Sequence, residues 1–277
     1  MPELPEVEHV SRSLNSLVRG STIISARLLR ERLAPDITPD QFAAFLRSAS
    51  INFIHRRGKH ILFDLSSDRT LIVHLRMSGR FSLLTAEVED PKFTHAVFHF
   101  ADDTRLVFDD QRHFGLMKVV ETATLFDARE LAKLAPEPFS GDFTIAYLRS
   151  ALKTTKRTLK EFLLDQTKVC GLGNIYASEA MFAARIDPRT AADKVSAVKA
   201  ARLHESIRAV LSEAIEHSLR KPVDPRDIDG GYFDGAAERG WLVYDREKDP
   251  CIDCKRPIVR IKQGGRSTFF CRHCQRK

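Results

Sequence analysis

The chain closes on CIDCKRPIVRIKQGGRSTFFCRHC, residues 251–274. Two CxxC pairs, Cys251/Cys254 and Cys271/Cys274, stand 16 residues apart. Two tight knuckles at that spacing can gather four thiolates into a tetrahedron, which is the donor set of a structural Zn²⁺. With all four positions filled by sulfur the site is closed, so one zinc is expected to hold structure and do no chemistry. Between the pairs, PIVRIKQGGRSTFF predicts two strands turning on Gly264 and Gly265, with Arg266 at the edge of the turn. From Lys255 to Lys277 there are eight Lys or Arg and no Asp or Glu. The whole chain carries only +7, so this tail accounts for the net charge and the body is near neutrality. A basic hairpin on zinc suits a polyanion such as a DNA groove; a zinc ribbon serving protein contacts is the other option, and the charge argues against it.

Working back from the tail, 277 residues suggest about two domains. Residues 5–19 read as an amphipathic helix through Val7, Val10, Leu14, Leu17 and Val18, ended by Gly20. Strand-like runs follow at 21–29, 51–65 and 70–84. Between the first two, Thr38, Pro39 and Gln41 form the start of a capped helix. THAVFHF (94–100) and TRLVFDDQ (104–111) alternate across ADDT and predict a hairpin. After LAPEPFSGDF (134–143) the apolar period becomes helical through to Leu219. The expectation is α+β: a mainly β domain with flanking helices over 1–130, a linker at 131–143, a helical domain at 144–240, and a zinc-finger β-hairpin at 241–277. The polar, Asp/Gly/Pro-rich segment from Arg220 to Gly240 reads as a mobile loop. No apolar run reaches the roughly 18 residues of a membrane span, and MPELPEVEHV, with three glutamates, is no signal peptide. A cytoplasmic address is expected.

Three further motifs can carry chemistry. Pro2 follows Met1, so methionine removal would expose a secondary amine with a pKa near 8, partly neutral at physiological pH. Such an amine can attack a sugar C1′ to give an iminium, with Glu3 and Glu6 beside it as acids or bases. Simple tolerance of a small residue at position 2 explains Pro2 equally well by itself. HRRGKH (55–60) puts Lys59 between two strand-like runs, either as a solvated turn or as a phosphate contact. VCGLGNIYASEA (169–180) joins two helices through Gly171 and Gly173, and Asn174 opens the second; free N–H groups there suit phosphate, with Lys156, Arg157, Lys160 and Lys168 near in sequence. A GxGxxG motif is absent, so no nucleotide cofactor is expected.

Taken in order, PELPEVE (2–8), RRGK (56–59), MSGR (77–80), RHFG (112–115), GLGNIYASE (171–179) and the terminal cysteines resemble the formamidopyrimidine-DNA glycosylase family, which is related to endonuclease VIII. The resemblance covers nearly the whole chain. It implies a β-sandwich and a helix–two-turn–helix domain with a zinc finger, acting as a monomer on damaged double-stranded DNA laid across the cleft between domains. It implies that Pro2 is the catalytic amine, that Glu3 assists sugar opening, and that Glu6 supports the N-terminus. Lys59 would contact phosphate beside the lesion, Asn174 and Arg266 would pinch the backbone, and His95 and Lys160 would add phosphate contacts. Met77, Arg112 and Phe114 would fill the gap left by the extruded base. The implied activity is excision of oxidised purines (formamidopyrimidines and 8-oxoguanine) followed by β,δ-elimination; the same chemistry on oxidised pyrimidines, and a non-catalytic damaged-DNA-binding protein, are the competing readings.

Two departures bear on that expectation. RHFG stands where the family often reads RRFG or RKFG, which introduces His113. HSLRKPVDPRDIDGGYF (217–233) replaces the GGTT-like stretch expected to read the flipped base, so the preferred lesion stays open. PELPEVE itself favours the formamidopyrimidine branch over the endonuclease VIII branch, whose start usually reads PEGPE.

Overall fold

The structure, a computed structural model, describes residues 1–220, 223–228 and 240–277. Two compact units emerge: Met1–Ala132 with Ser218–Tyr232, and Lys133–His217 with Phe233–Lys277.

Helix α1 (Leu4–Val18) opens the first unit. Its buried stripe is Val7, Val10, Leu14 and Val18, at the 3.6-residue period the sequence predicts. Glu3 and Glu6 close a capping box at its start, and Glu6 Oε2 accepts the Glu3 N–H at 2.8 Å. Gly20, at φ +84°, takes the left-handed conformation that ends the helix cheaply only for glycine. Then come β1 (Ile23–Leu28), α2 (Pro39–Leu46), β2 (Ile51–Arg57), β3 (His60–Leu65), β4 (Arg69–His74), β5 (Gly79–Leu84), β6 (Thr94–Phe100), β7 (Arg105–Asp110) and β8 (Leu116–Glu121). Two four-stranded antiparallel sheets result, ordered β1-β6-β7-β5 and β2-β3-β4-β8.

The two-residue strand period sorts the side chains. Phe98 and Phe100 of β6 and Leu106 and Phe108 of β7 enter one core with Phe63, Leu71 and Val73 of the other sheet. Val97 and Val107 turn to the opposite face, against Leu84. Phe81 joins the sheets, its ring centroid 5.8 Å from Phe63 and 5.1 Å from Phe108. This arrangement is the sandwich that the family resemblance implies.

Residues 223–228, part of the segment read as a mobile loop, pack against the sandwich. Asp224 and Asp227 close a small turn, the Pro225 carbonyl accepts the N–H of Leu83 at 2.6 Å, and Ile228 is fully buried in the sandwich core. The physical reason is twofold: β5 is an edge strand with N–H groups to satisfy, and Ile228 is apolar within an otherwise polar run. The rest of the expected lesion-reading loop, 229–239, lies outside the described residues, as do 221 and 222.

Two histidines sit neutral inside this unit. His60 and His74 meet edge to face at 4.7 Å, and His74 Nδ1 accepts the Arg76 N–H at 3.0 Å. Burial lowers His60 to about 4 and His74 to about 2. Because these folded values lie below that of the unfolded chain, their contribution is intact above about pH 6.5 and is lost as pH falls through that value toward 4 and 2. Stability is therefore expected to drop on the order of 2–4 kcal/mol between pH 7 and pH 5. Urea midpoints at the two pH values test this, and His74→Gln should flatten the difference; equal midpoints for the unmodified chain contradict it.

The second unit holds α3 (Ile145–Lys153), α4 (Leu159–Leu164), α5 (Asn174–Ala183), most of α6 (Ala197–Leu219) and the hairpin β9 (Val259–Gln263)–β10 (Arg266–Phe270). Thr144 and Thr158 cap α3 and α4 through their hydroxyls. Gln263 pairs with Arg266 across Gly264 and Gly265, both at positive φ (+53° and +77°), as a two-residue hairpin turn of this hand requires. Phe182 of α5 packs into one cluster with Val243, Ile258, Phe269 and two of the cysteines, so the cysteine module and the helix share a core. No helix among the described residues is long and apolar enough to cross a membrane.

Candidate active site and nucleic-acid interface

The N-terminal corner is built by α1 and the β2–β3 turn. Arg56 of β2 forms a 2.8 Å ion pair with Glu8 of α1 and donates to the Gly58 carbonyl at 3.1 Å; Asn15 Oδ1 accepts the Ile54 N–H at 2.8 Å. Burial alone raises the Glu8 carboxyl, but the Arg56 and Arg12 guanidiniums outweigh it and hold Glu8 below the usual carboxylate range. These ties fix the turn against the helix. Gly58, at φ +61°, and Lys59 make that turn, and Lys59 is buried rather than solvated. Pro2, Glu3 and Glu6 are buried with it.

The terminal amine, carried here by Met1, lies below its ordinary value. Burial is the main cause; Glu3 and Glu6 pull the value up, and Lys59 and Arg112 push it down. Four of the residues singled out in the sequence are thus the charges that act on one amine. A lowered value means a larger neutral, nucleophilic fraction near pH 7.

A second element of the same unit consists of two turns. Met77 lies between β4 and β5; Arg112 and Phe114 lie between β7 and β8. The Arg112 guanidinium sits 5.4 Å from the Phe114 ring centroid, and Phe114 is 57% exposed. Phe114 is one of several exposed phenylalanines, with Phe53 and Phe126. Gly79 and Gly115 bring both turns down onto Phe108: a Cβ at either position would lie 2.6 or 2.8 Å from that ring.

His95 and Lys160 are both buried and hydrogen-bonded within the protein. His95, expected on phosphate, is 5% exposed, with Nε2 2.9 Å from the Asp110 carbonyl and 3.0 Å from His113 Nδ1. Lys160 is fully buried; its ammonium donates to the Asn174 carbonyl at 2.8 Å and to Ser178 Oγ at 2.7 Å. Lys160 thereby holds the first turn of α5.

In the second unit Gln166 shapes the turn ahead of α5, accepting the Gly171 N–H at 3.0 Å and donating to the Leu172 carbonyl at 2.8 Å. Asn174 Nδ2 reaches the Ser267 carbonyl at 3.0 Å, so the helix start and the hairpin strand beside Arg266 are joined directly. Arg266 itself is exposed. Glu179, which the sequence reading did not single out, accepts the N–H groups of Leu242, Val243 and Tyr244 at 2.8–3.0 Å and ties α5 to the approach to the cysteine module.

The cysteines test the zinc assignment. Their four sulfurs lie within 4.8 Å of one another; Cys251–Cys274 are 3.9 Å apart and Cys254–Cys271 3.5 Å. Tetrahedral Zn–S bonds of about 2.3 Å place sulfurs about 3.8 Å apart, within the range of these values. Cys251, Cys254, Cys271 and Cys274 therefore fit one structural zinc.

The family model described as the formamidopyrimidine-DNA glycosylase N-terminal domain matches residues 1–117. That of the glycosylase H2TH domain matches 134–221, and that of the zinc finger found in FPG and IleRS matches 248–276. A formamidopyrimidine-DNA glycosylase of Ruegeria pomeroyi is 42% identical, with all of both chains covered. The solved Lactococcus lactis Fpg (MutM) in complex with N7-benzyl-Fapy-dG-containing DNA superposes with a TM-score of 0.91 at 33% identity, covering all of both chains. The same protein solved with an oxidised-pyrimidine-containing DNA gives 0.90 at the same identity and full coverage.

Proposed function

The chain belongs to the formamidopyrimidine-DNA glycosylase family, and from that premise we propose that it excises oxidised purines from duplex DNA and then cuts the strand as an AP lyase. The observation that carries this reading is the corner at the start of α1 where Pro2, Glu3, Glu6 and Lys59 are buried together.

A base inside a duplex hides C1′, so the nucleotide must first leave the stack. Removal of Met1 makes the Pro2 nitrogen the nucleophile. It attacks C1′, the base departs with the electron pair of the glycosidic bond, and the nitrogen gives up its proton. Glu3 protonates O4′ as the C1′–O4′ bond opens, leaving an iminium at C1′. Glu6 supports this by holding the Glu3 backbone N–H. A base takes the C2′ proton and its bonding pair forms the enamine C1′=C2′; that pair shifts to C2′=C3′ as the 3′ phosphate leaves C3′ with its bonding electrons and the iminium re-forms, and loss of the C4′ proton then expels the 5′ phosphate from C5′ in the same way. The zinc site, with four sulfur donors, braces the hairpin when loaded and has no open position for substrate.

Lys59 beside the amine, Asn174 at the start of α5 and Arg266 on the hairpin are assigned to phosphates around the target. Met77, Arg112 and Phe114 are assigned to the vacated space, an apolar, stacking and hydrogen-bonding set suited to it. The enzyme is read as a cytoplasmic, nucleoid-associated monomer that needs no nucleotide cofactor. Arg266→Ala is expected to weaken all duplexes roughly alike and to lower the salt slope of binding by about 1. Affinity titrations at several salt concentrations check this; an unchanged slope removes Arg266 from the phosphate set.

The Fapy-dG complex of the Lactococcus relative supports the purine choice, while its oxidised-pyrimidine complex makes a pyrimidine lesion the necessary comparison. The test is base release and strand cleavage on duplexes carrying formamidopyrimidine, 8-oxoguanine opposite cytosine, or oxidised thymine. Faster turnover of the purine lesions is expected. Turnover of oxidised thymine alone overturns the substrate class, and binding without turnover leaves a damaged-DNA-binding protein.

A further inference from the structure

Asp110 closes β7 between the two turns that carry Met77, Arg112 and Phe114. It is 1% exposed. Oδ1 accepts the Ser78 hydroxyl at 2.5 Å and the Arg112 N–H at 3.1 Å; Oδ2 accepts the Gly115 N–H at 2.6 Å. Ser78 Oγ itself accepts the Arg112 N–H at 3.0 Å, so the two turns meet at one hydroxyl as well as at one carboxylate. The donors thus come from both turns, two and five residues after Asp110 in one case and 32 residues before it in the other.

An ionised carboxylate is an acceptor only, and a buried one is tolerable only when donors fill its lone pairs. Here burial works against the charge, yet the hydrogen bonds from Ser78, Gly115 and Arg112 outweigh it and hold the carboxyl below the usual range. A single ionised group therefore draws both turns to one point, and Phe108 sets their depth through Gly79 and Gly115.

We propose that Asp110 is a positioning residue that locks the Met77 turn and the Arg112–Phe114 turn into one rigid wedge for the space left by a flipped nucleotide. It touches no DNA; it acts through the residues that do. This rests on the glycosylase reading above.

A wedge matters only where there is a stack to fill. Single-stranded abasic DNA presents the same sugar to the amine but has no opposite strand and no vacated space. Asp110→Asn keeps the shape, removes the charge, and turns an amide N–H toward a bound donor. It is expected to lower cleavage of an 8-oxoguanine duplex roughly 100-fold, the scale lost when a reacting pair is misplaced by about 1 Å. Cleavage of a single-stranded abasic oligonucleotide should stay at the unmodified rate. Ser78→Ala, which removes one donor and leaves the carboxylate, should give a smaller fall with the same preference for duplex. Equal losses on both substrates in the two variants, or no loss on the duplex, overturn the proposal. An unmodified chain inactive on every substrate defeats the glycosylase reading, and this inference with it.

Discussion

Pro2→Gly is expected to cut abasic-site cleavage by roughly 100-fold, about 2.7 kcal/mol of transition-state stabilisation, while binding to the same duplex persists. The proline ring fixes the direction of its nitrogen relative to the helix that begins two residues later, and it makes the nucleophile a secondary amine. Glycine keeps a terminal amine but frees its orientation. Neither the Glu3–Glu6 capping box nor the Arg56–Glu8 ion pair involves the ring, so the corner should remain folded. Single-turnover cleavage and an equilibrium titration on one abasic duplex separate the two effects. Unchanged cleavage removes Pro2 as the nucleophile.

The next largest effect is expected from the metal. Cys254→Ser leaves three sulfurs, and structural zinc sites of this kind supply folding energy to the small modules they close. The β9–β10 hairpin carries Arg266 and is joined to the α5 start through Asn174 and Ser267, so its loss should remove a phosphate anchor and disturb a second. A fall in duplex affinity of roughly 100-fold, about 2.7 kcal/mol, is expected. The sandwich unit, with its own core, should keep its sheet signal by circular dichroism. Trp241, the single tryptophan, packs edge to face on Tyr176 at 5.7 Å and Tyr244 at 6.1 Å, and its fluorescence should report the change in the second unit. A zinc-free variant that binds duplex normally contradicts this account.

Much of this architecture is written in local pattern. Residues 5–19 read as a helix that spans Leu4–Val18, because an apolar period, a capping pair and a terminal glycine agree there. The cysteine module was equally plain, since ligand spacing and turn glycines are themselves the signal. What escaped depends on pairing across the chain. Asp110 looks like one acid in a polar strand end; its role appears only when β7 registers beside β5 and brings Ser78 to it. Lys160, read in sequence as near a phosphate site, is turned by α4 onto the Asn174 carbonyl and the Ser178 hydroxyl of α5, which no local pattern shows. The docking of 223–228 has no local mark except Ile228, because its partners lie on an edge strand some 140 residues earlier. The ion pair of Glu8 to Arg56 spans 48 residues and has no local mark in the sequence.

The central claim is that a buried amino-terminal nitrogen forms a covalent bond with the sugar. Borohydride reduces such an iminium to a stable adduct that denaturing gels resolve. The unmodified chain, incubated with an 8-oxoguanine duplex and borohydride, is expected to give a shifted protein–DNA band, with Pro2 as the attached residue on peptide mapping. No band on that duplex, on an oxidised-thymine duplex or on an abasic duplex, with DNA still bound, would contradict amine catalysis.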